Sequence, residues 1–261
     1  MRTFTDHLGR LVAVPAVPQR IVSLVPSQTE LLFDLGVGAR VVGVTKFCIH
    51  PKSARKSAAV IGGTKQIDFA KIAALEPDLI IGNKEENEQA AITALAAKYP
   101  VWLSDIVTLT DAQRMIADVG ALVNAEPAAE KLNAEISAGF VALRPAAEPP
   151  PRALYLIWRG PWMGAGAGTF IHEMLVAGGF FNVLADRPRY PELAAADFTD
   201  LQPDAVLLSS EPYPFRAKHL AEIAALCPGA RVELVDGEPF SWYGSRLRHT
   251  PAYLRGLRAN M

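Results

Sequence analysis

One phrase occurs twice in this chain. Leu75 opens LEPDLIIG and Leu201 opens LQPDAVLLSS. Each is an apolar residue, a polar residue, Pro-Asp, and then a run of apolar side chains. The two stand 126 positions apart in a chain of 261 residues. A chain that repeats a helix end, a Pro-Asp step and a buried strand at that distance is constrained to two lobes of one plan, with the useful surface between them.

The neighbourhoods of the two phrases also match. FTDHLGRLVAVPAVP reads as a hairpin turning at Leu8-Gly9. Then comes a buried strand over 21–25, and a helix that starts with a capping-box pattern at Ser27 and Glu30 and ends at Gly36 and Gly38. VVGV, the run 79–81 and VWLS are further strands. In the second half RALYLIW is a strand, TFIHEMLVAGG a helix, DFTDLQPDAVLLSS again helix, proline and strand, HLAEIAALC a helix and RVELVD a strand. Proline pushes the preceding residue towards extended geometry, so Glu76 and Gln202 are expected extended at the helix-to-strand boundaries. Continuous apolar strands alternating with helices predict an α/β fold with parallel sheets covered on both faces.

Between the halves, 111–144 is helical in pattern. Asn124 can end one helix, and Pro127 suits the first turn of a second. That second helix, about 127–144, would be roughly 27 Å long. The organisation expected is an N-terminal α/β lobe over 1–124, a bridging helix over 125–146, and a C-terminal α/β lobe over 147–261, with the proline-rich AAEPPP stiffening the approach to the second lobe.

Composition excludes several classes. Half of the residues are apolar and a fifth charged, which supports a packed core and argues against disorder. A net charge of −1 gives no argument for nucleic acid or an anionic membrane. Cys48 and Cys227 are far apart and read as free thiols. No apolar run approaches the roughly 18–20 residues of a membrane span. MRTFTDHLGR has no apolar signal stretch, so the chain as given is expected either to stay in the cell or to have lost a signal.

In open parallel sheets ligands bind at the carboxyl ends of the strands. The loops expected there hold Ser27, Phe47, Lys65, Asn83 and Lys84 in the first half. In the second they hold Trp158, Arg159, Trp162, Met163, Tyr213, Ser241, Trp242, Tyr243 and Arg246. Aromatics on loops point to stacking against a broad ligand, and the cations to anionic groups on it. GAGAGT at 164–169 lacks the third fingerprint glycine, since Thr169 stands there, and has no P-loop lysine, so it reads as a tight turn that lets helix and strand pack closely. None of the five histidines has ligand spacing to another His, Cys or acid, and no catalytic triad or carboxylate pair is visible, so no metal site and no enzyme are expected.

RIVSLVPSQTELLFDLG, the paired Pro-Asp phrases, the bridging helix and EPFSWYGSRL together resemble the helical-backbone substrate-binding proteins of ABC importers, over about 18–255. The likeness is to the cobalamin-binding members, with iron-siderophore and haem binders as relatives. It implies two Rossmann-like lobes joined by one long helix, small lobe motions on binding, and non-enzymatic capture of a metal chelate in the inter-lobe cleft for uptake. It implies no covalent cofactor, a monomer, and a location in the periplasm or on the membrane exterior. Aromatic contacts of the cobalamin binders carry over by position to Phe47, Thr64, Asn83, Tyr190 and the Trp162–Met163 turn; Thr64 and Asn83 stand where tryptophans do in that relative. It also implies an ABC permease as partner. The positions of the two acids with which the family meets permease arginines are here Ala70 and Ala196, again 126 apart. A different expectation fits those alanines and the amino terminus: an intracellular carrier or sensor of a similar chelate that docks to no permease.

Overall fold

The computed structural model describes residues 1–143 and 149–261. The chain divides into two compact units. Unit 1 comprises Met1–Ile106, Thr110–Glu135 and Tyr243–Arg246; unit 2 comprises Val107–Leu109, Ile136–Trp242 and Leu247–Met261. The boundary expected at 146/147 and the first residues of AAEPPP lie outside the described residues.

In unit 1 the hairpin β1 (Arg2–Thr5) and β2 (Leu11–Val14) turns at Gly9, whose φ is +77°. There follow β3 (Ile21–Ser23), α1 (Pro26–Asp34), β4 (Val41–Val44), α2 (Ala54–Ser57), β5 (Ala59–Val60), α3 (Phe69–Ala74), β6 (Leu79–Asn83), α4 (Gln89–Ala96) and β7 (Val101–Ser104). The sheet runs β5-β4-β3-β6-β7 and is parallel throughout. Every residue of β3, β6 and β7 is buried, as a sheet covered on both faces requires.

Helices α5 (Leu109–Leu122) and α6 (Glu126–Val141) follow, with Asn124 between them at φ +57°, the left-handed conformation that commonly ends a helix. Helix α6 has its residues to Glu135 in unit 1 and the rest in unit 2. A glycine seats it closely in each. A Cβ on Gly120 would come within 2.5 Å of the Ala129 methyl, and one on Gly139 within 3.0 Å of the Pro251 ring.

Unit 2 continues with β8 (Arg152–Trp158), β9 (Trp162–Gly164), α7 (Phe170–Ala177), β10 (Phe181–Asn182), β11 (Glu192–Leu193), α8 (Ala195–Asp200), β12 (Ala205–Ser209), α9 (Leu220–Leu226), β13 (Arg231–Val235), α10 (Glu238–Ser241) and α11 (Thr250–Ala259). Its sheet runs β11-β9-β8-β12-β13, with β10 paired to β8. The run β8-β12-β13 is parallel, whereas β9 and β11 add an antiparallel edge.

The repeated phrase acquires a physical role. Asp78, after the first proline, accepts the backbone N–H groups of Gln19 (2.7 Å) and Arg20 (2.8 Å) as the chain approaches β3. Asp204 accepts the N–H of Arg152 (2.8 Å) at the start of β8. The arginines answer: Arg20 donates to the Leu75 carbonyl (2.7 Å), and Arg152 to those of Leu201 (2.8 Å) and Gln202 (3.0 Å). Each pair ties a helix end, a Pro-Asp step and the first strand of its sheet into one clamp.

Three expectations are corrected. Glu76 and Gln202 are not extended; both lie at φ +43°. Each follows the C-cap of a short helix and precedes proline, and a left-handed residue there satisfies the helix end more directly than an extended one. Ser27 and Glu30 form no capping box. Pro26 starts α1, its fixed φ suiting the first turn, and Val25 is an uncapped N-cap; Glu30 instead pairs with Arg246. The glycine-rich turn serves a different neighbour. A Cβ on Gly166 would land on the Arg187 carbonyl oxygen, so the glycine admits the 187–189 backbone: the Gly166 and Ala167 N–H groups donate to the Arg189 and Arg187 carbonyls, and the Arg189 N–H donates to that of Ala167. Thr169 then caps α7 by accepting the His172 N–H (3.1 Å).

His7, at the hairpin turn, is held at both ring nitrogens, by the Asp118 carboxylate (3.1 Å) and the Asp105 carbonyl (3.2 Å). Burial opposes its charging, but these two acceptors outweigh it and raise its pKa above the usual value.

Two measurements check these contacts. Asp78→Ala, which orphans two donors, should lower stability by about 1–2 kcal/mol in urea denaturation, and Asp204→Ala by less; unchanged midpoints would remove the clamp. Because the folded-state pKa of His7 is raised, its stabilisation is present below the ordinary histidine range and is lost as pH rises through the raised value. His7→Gln should therefore flatten the fall in melting temperature over that range, and an unaltered slope would assign it elsewhere.

Candidate functional site

Because β3, β4, β6 and β7 are parallel, the residues that follow them emerge at one edge of the unit 1 sheet. A buried polar network lies beneath them. Gln28 donates to Ser104 Oγ (2.6 Å), and Asn83 Nδ2 donates to the same oxygen (3.0 Å). Asn83 Oδ1 accepts the N–H groups of Glu85 (2.8 Å) and Glu86 (3.2 Å), while Asn87 Oδ1 accepts the Asn83 N–H (2.9 Å). Next to it, Thr29 and Thr45 hold the Cys48 thiol at 3.1 and 3.2 Å, and burial pushes that thiol's pKa up. An up-shifted, enclosed thiol is a packing group and not a nucleophile.

The network divides the expected site residues of unit 1. Asn83 is 2% exposed and spends its amide shaping the loop 83–87. Ser27 is buried in the first turn of α1, with Gly244 against its carbonyl. Arg246 is engaged by both Glu30 oxygens (2.7 and 2.9 Å), and Tyr243 beside it is buried. Burial raises the pKa of Glu30, although the guanidinium of Arg246 works against that rise. What the edge presents to solvent is Phe47, 49% exposed, together with Lys65 and Lys84. The ammonium of Lys65 donates to the Glu85 carbonyl (2.5 Å), and that of Lys84 pairs with Asp105 (2.6 Å).

The same parallel arrangement in unit 2 puts Trp158 and the loops 210–216 and 236–242 at one sheet edge. A row of rings runs along it. Trp158 meets Tyr213 edge-on (5.6 Å), Tyr213 meets Phe215 (4.8 Å), and Phe215 lies parallel to Trp162 (6.3 Å, 6° between planes). His219 closes the row against Tyr213 and Phe215. The guanidinium of Arg159 sits 5.5 Å over the Trp162 ring while forming a two-point bond to Glu222 (2.8 and 2.9 Å), and Trp158 is 40% exposed. Met163 faces Glu192 on β11, and Tyr190 carries Arg189 over its ring at 5.3 Å.

Trp242 and Ser241 serve a different purpose. Trp242 is 6% exposed; its indole N–H and the Ser241 hydroxyl both donate to one oxygen of Glu211. Burial raises the pKa of Glu211, the two donors opposing it. These contacts anchor the loop after β13 to the loop after β12. The sequence places Glu211 on this loop without marking its duty, and Asn87 leaves only a faint signal, an amide four residues after Asn83. A surface groove lined by Arg10, Leu11, Tyr99 and Pro100 lies at the amino end of β7, away from this edge. Among the described residues no group of three or more His, Cys, Asp or Glu side chains could hold a metal ion.

Ala70 in α3 and Ala196 in α8, 126 positions apart, are both exposed. The neighbouring acids have other work. Asp68 caps α3 through the Lys71 N–H (3.0 Å), and Asp197 pairs with Arg187 (2.7 Å) and accepts the Ala194 N–H (2.7 Å).

Known proteins resemble this chain in sequence and fold. An uncharacterized ABC transporter substrate-binding lipoprotein of Bacillus subtilis is 27% identical over 78% of this chain and 68% of its own. The vitamin B12-binding protein of Pectobacterium carotovorum is 25% identical over 77% of this chain and 74% of its own. Among solved structures, the apo periplasmic heme-binding protein of Roseiflexus sp. superposes with a TM-score of 0.79 and 26% identity, covering 92% of this chain and 97% of that one. The periplasmic vitamin B12 binding protein of Vibrio cholerae shares the fold, with a TM-score of 0.77 at 20% identity over 95% of this chain and all of that one. The family described as periplasmic binding protein matches residues 21–225, and the chain belongs to it.

Proposed function

We propose that this chain is the binding component of an ABC-type importer and captures a metal chelate, binding without catalysis. The row Trp158–Tyr213–Phe215–Trp162 carries the reading. It sets the exposed Trp158 beside the half-buried Tyr213 and Trp162, which are seated on the buried Phe215, at the strand ends where ligands of parallel sheets are held, and the exposed ring suits a partly apolar ligand. Relatives named for vitamin B12 or heme support this reading. In unit 1, taken by itself, Phe47 and Lys65 are exposed at the corresponding strand ends. The protein then works outside the cytoplasmic membrane, as periplasmic and lipoprotein relatives do, and no helix among the described residues is long and apolar enough to cross a membrane.

A permease is the partner. With Ala70 and Ala196 at the usual acid positions, and Asp68 and Asp197 occupied within their own units, docking rests on surface other than a pair of free carboxylates. The absorbance spectrum and mass of the compound that copurifies from the native source test the function: a Soret band, a corrin spectrum or a ferric charge-transfer band each supports it, and a colourless, metal-free ligand sinks it.

Two substitutions separate the exposed aromatics from the structural ones. Trp158→Ala should weaken binding of haemin or cyanocobalamin, whichever the wild type binds, by about tenfold, the worth of roughly 1.4 kcal/mol of aromatic contact, with little change in melting temperature. Trp242→Ala empties a buried ring site and removes one of the two donors to Glu211, and should lower the melting temperature itself. Fluorescence titration and thermal scans of both variants decide; equal effects on melting would place Trp158 in the core.

A further inference from the structure

A titratable side chain lies sealed against the unit 2 ring row. His219 ends the single-turn helix Ala217–His219, stands at the N-cap of α9 and is 4% exposed. Its ring packs edge-on against Phe215 (5.5 Å) and tilted against Tyr213 (5.6 Å). The Arg216 N–H donates to His219 Nδ1 (2.9 Å), and the His219 N–H donates back to the Arg216 carbonyl (2.8 Å), so two bonds close the turn 216–219. A donor aimed at Nδ1 fixes the tautomer: the ring proton is on Nε2, which lies 3.4 Å from the Tyr213 hydroxyl oxygen.

The turn holds the loop that carries the rings. The Tyr213 N–H donates to the Ile157 carbonyl (3.3 Å), one residue before Trp158, and the Phe215 N–H to the carbonyls of Tyr213 (2.9 Å) and Ser209 (3.3 Å). The loop 213–216 is therefore tied to β8 and β12 at one end and to His219 at the other, and its Tyr213 meets the exposed Trp158 edge-on. Histidine is the side chain that gains its charge between about pH 8 and about pH 5. A second proton on this ring sets Nδ1–H against the Arg216 N–H, donor against donor, and the bond that closes the turn is lost. The charged groups around the ring, among the described residues, are Arg216 and Lys218 on its own turn, Glu222 on α9, and Arg159, which holds Glu222 at two points.

We propose that His219 is a positioning residue for the ring row: neutral, it holds the loop 213–216 against Trp158; protonated in mild acid, it lets that loop go, and the captured ligand is held less tightly. This rests on the reading that Trp158 contacts the ligand, and it adds a pH-dependent release to that reading. All the groups of this latch belong to unit 2.

The test uses the full chain and two variants. In His219→Asn the side-chain oxygen replaces Nδ1 as acceptor and does not titrate; in His219→Ala the Arg216 N–H has no acceptor at any pH. NMR follows the His219 ring nitrogens and the Arg216 amide without ligand, and calorimetry gives the affinities of haemin, cyanocobalamin and ferrichrome. Variants are compared with wild type at the same pH, so that titration of the probe itself cancels. As pH falls from about 7.5 to about 5, the wild-type ring should take up its second proton and the Arg216 amide proton should move upfield as its bond is lost. Over the same range the wild type should lose about fivefold or more in affinity for the probe it binds, the size of one hydrogen bond. His219→Asn should keep the wild-type affinity of neutral pH throughout, and His219→Ala should be weak throughout. A ring that stays neutral to the acid end, or an Arg216 amide unmoved while the ring titrates, overturns the latch in the wild type alone, whether or not a variant folds. An affinity that falls equally in wild type and His219→Asn overturns it too and leaves chelate capture standing. Release of the Arg216 amide in acid, with none of the three probes bound at any pH, keeps the latch and removes chelate capture.

Discussion

The carboxylates of Asp78 and Asp204 hold the rest of the structure in register. Each stands one residue past a proline and grips the backbone at the approach to an inner strand, β3 in one sheet and β8 in the other. A strand's side chains alternate between faces, so its starting point decides which residues are buried and which side chains arrive at the far end. Fixing β3 by a charged clamp fixes where the neighbouring β4 and β6 deliver Phe47 and Asn83; fixing β8 does the same for Trp158. The partner arginines cap the helices that precede the clamps, so one interaction settles a helix end and a strand start together.

This explains what the sequence makes legible. Apolar strand runs, prolines and helix-ending glycines are local signals, and they recover both sheets, the long helix α6 and the doubling of the plan. Departures occur where distant partners override local preference. Glu30 has the spacing of a capping box, yet its carboxylate goes to Arg246, 216 positions away. The glycines at 164–169 admit a strap whose sequence gives no sign of it. Strands β9 and β11 are too short to carry a pattern, and they make the edge of the second sheet antiparallel against expectation. The left-handed residues before the two prolines share one φ, so the departure itself repeats with the phrase.

At the candidate site, the sequence marks the loops and leaves each side chain's duty unmarked. Polar and aromatic residues at strand ends all look alike as letters. The structure separates those that present the loops from those that the loops present. Asn83, Ser241, Trp242 and Arg246 spend their hydrogen bonds inside the protein, whereas Phe47, Lys65, Trp158 and Lys84 reach the surface. The division follows from burial: a polar atom sealed from water must find a fixed partner, and one that has found it is no longer available to a ligand. Preorganisation of this kind lowers the ordering cost of binding, because the exposed groups stand on loops already tied down from beneath.

The short segment Tyr243–Arg246 belongs to unit 1 although the chain on either side of it belongs to unit 2. Arg246 neutralises the half-sealed Glu30, and Gly244 lies 2.5 Å, measured from a Cβ it lacks, from the Ser27 carbonyl. A ribosome that has passed Glu135 has therefore not yet finished the first unit, whose last contacts wait for Tyr243–Arg246. The chain cannot be cut at any one peptide bond into the two units.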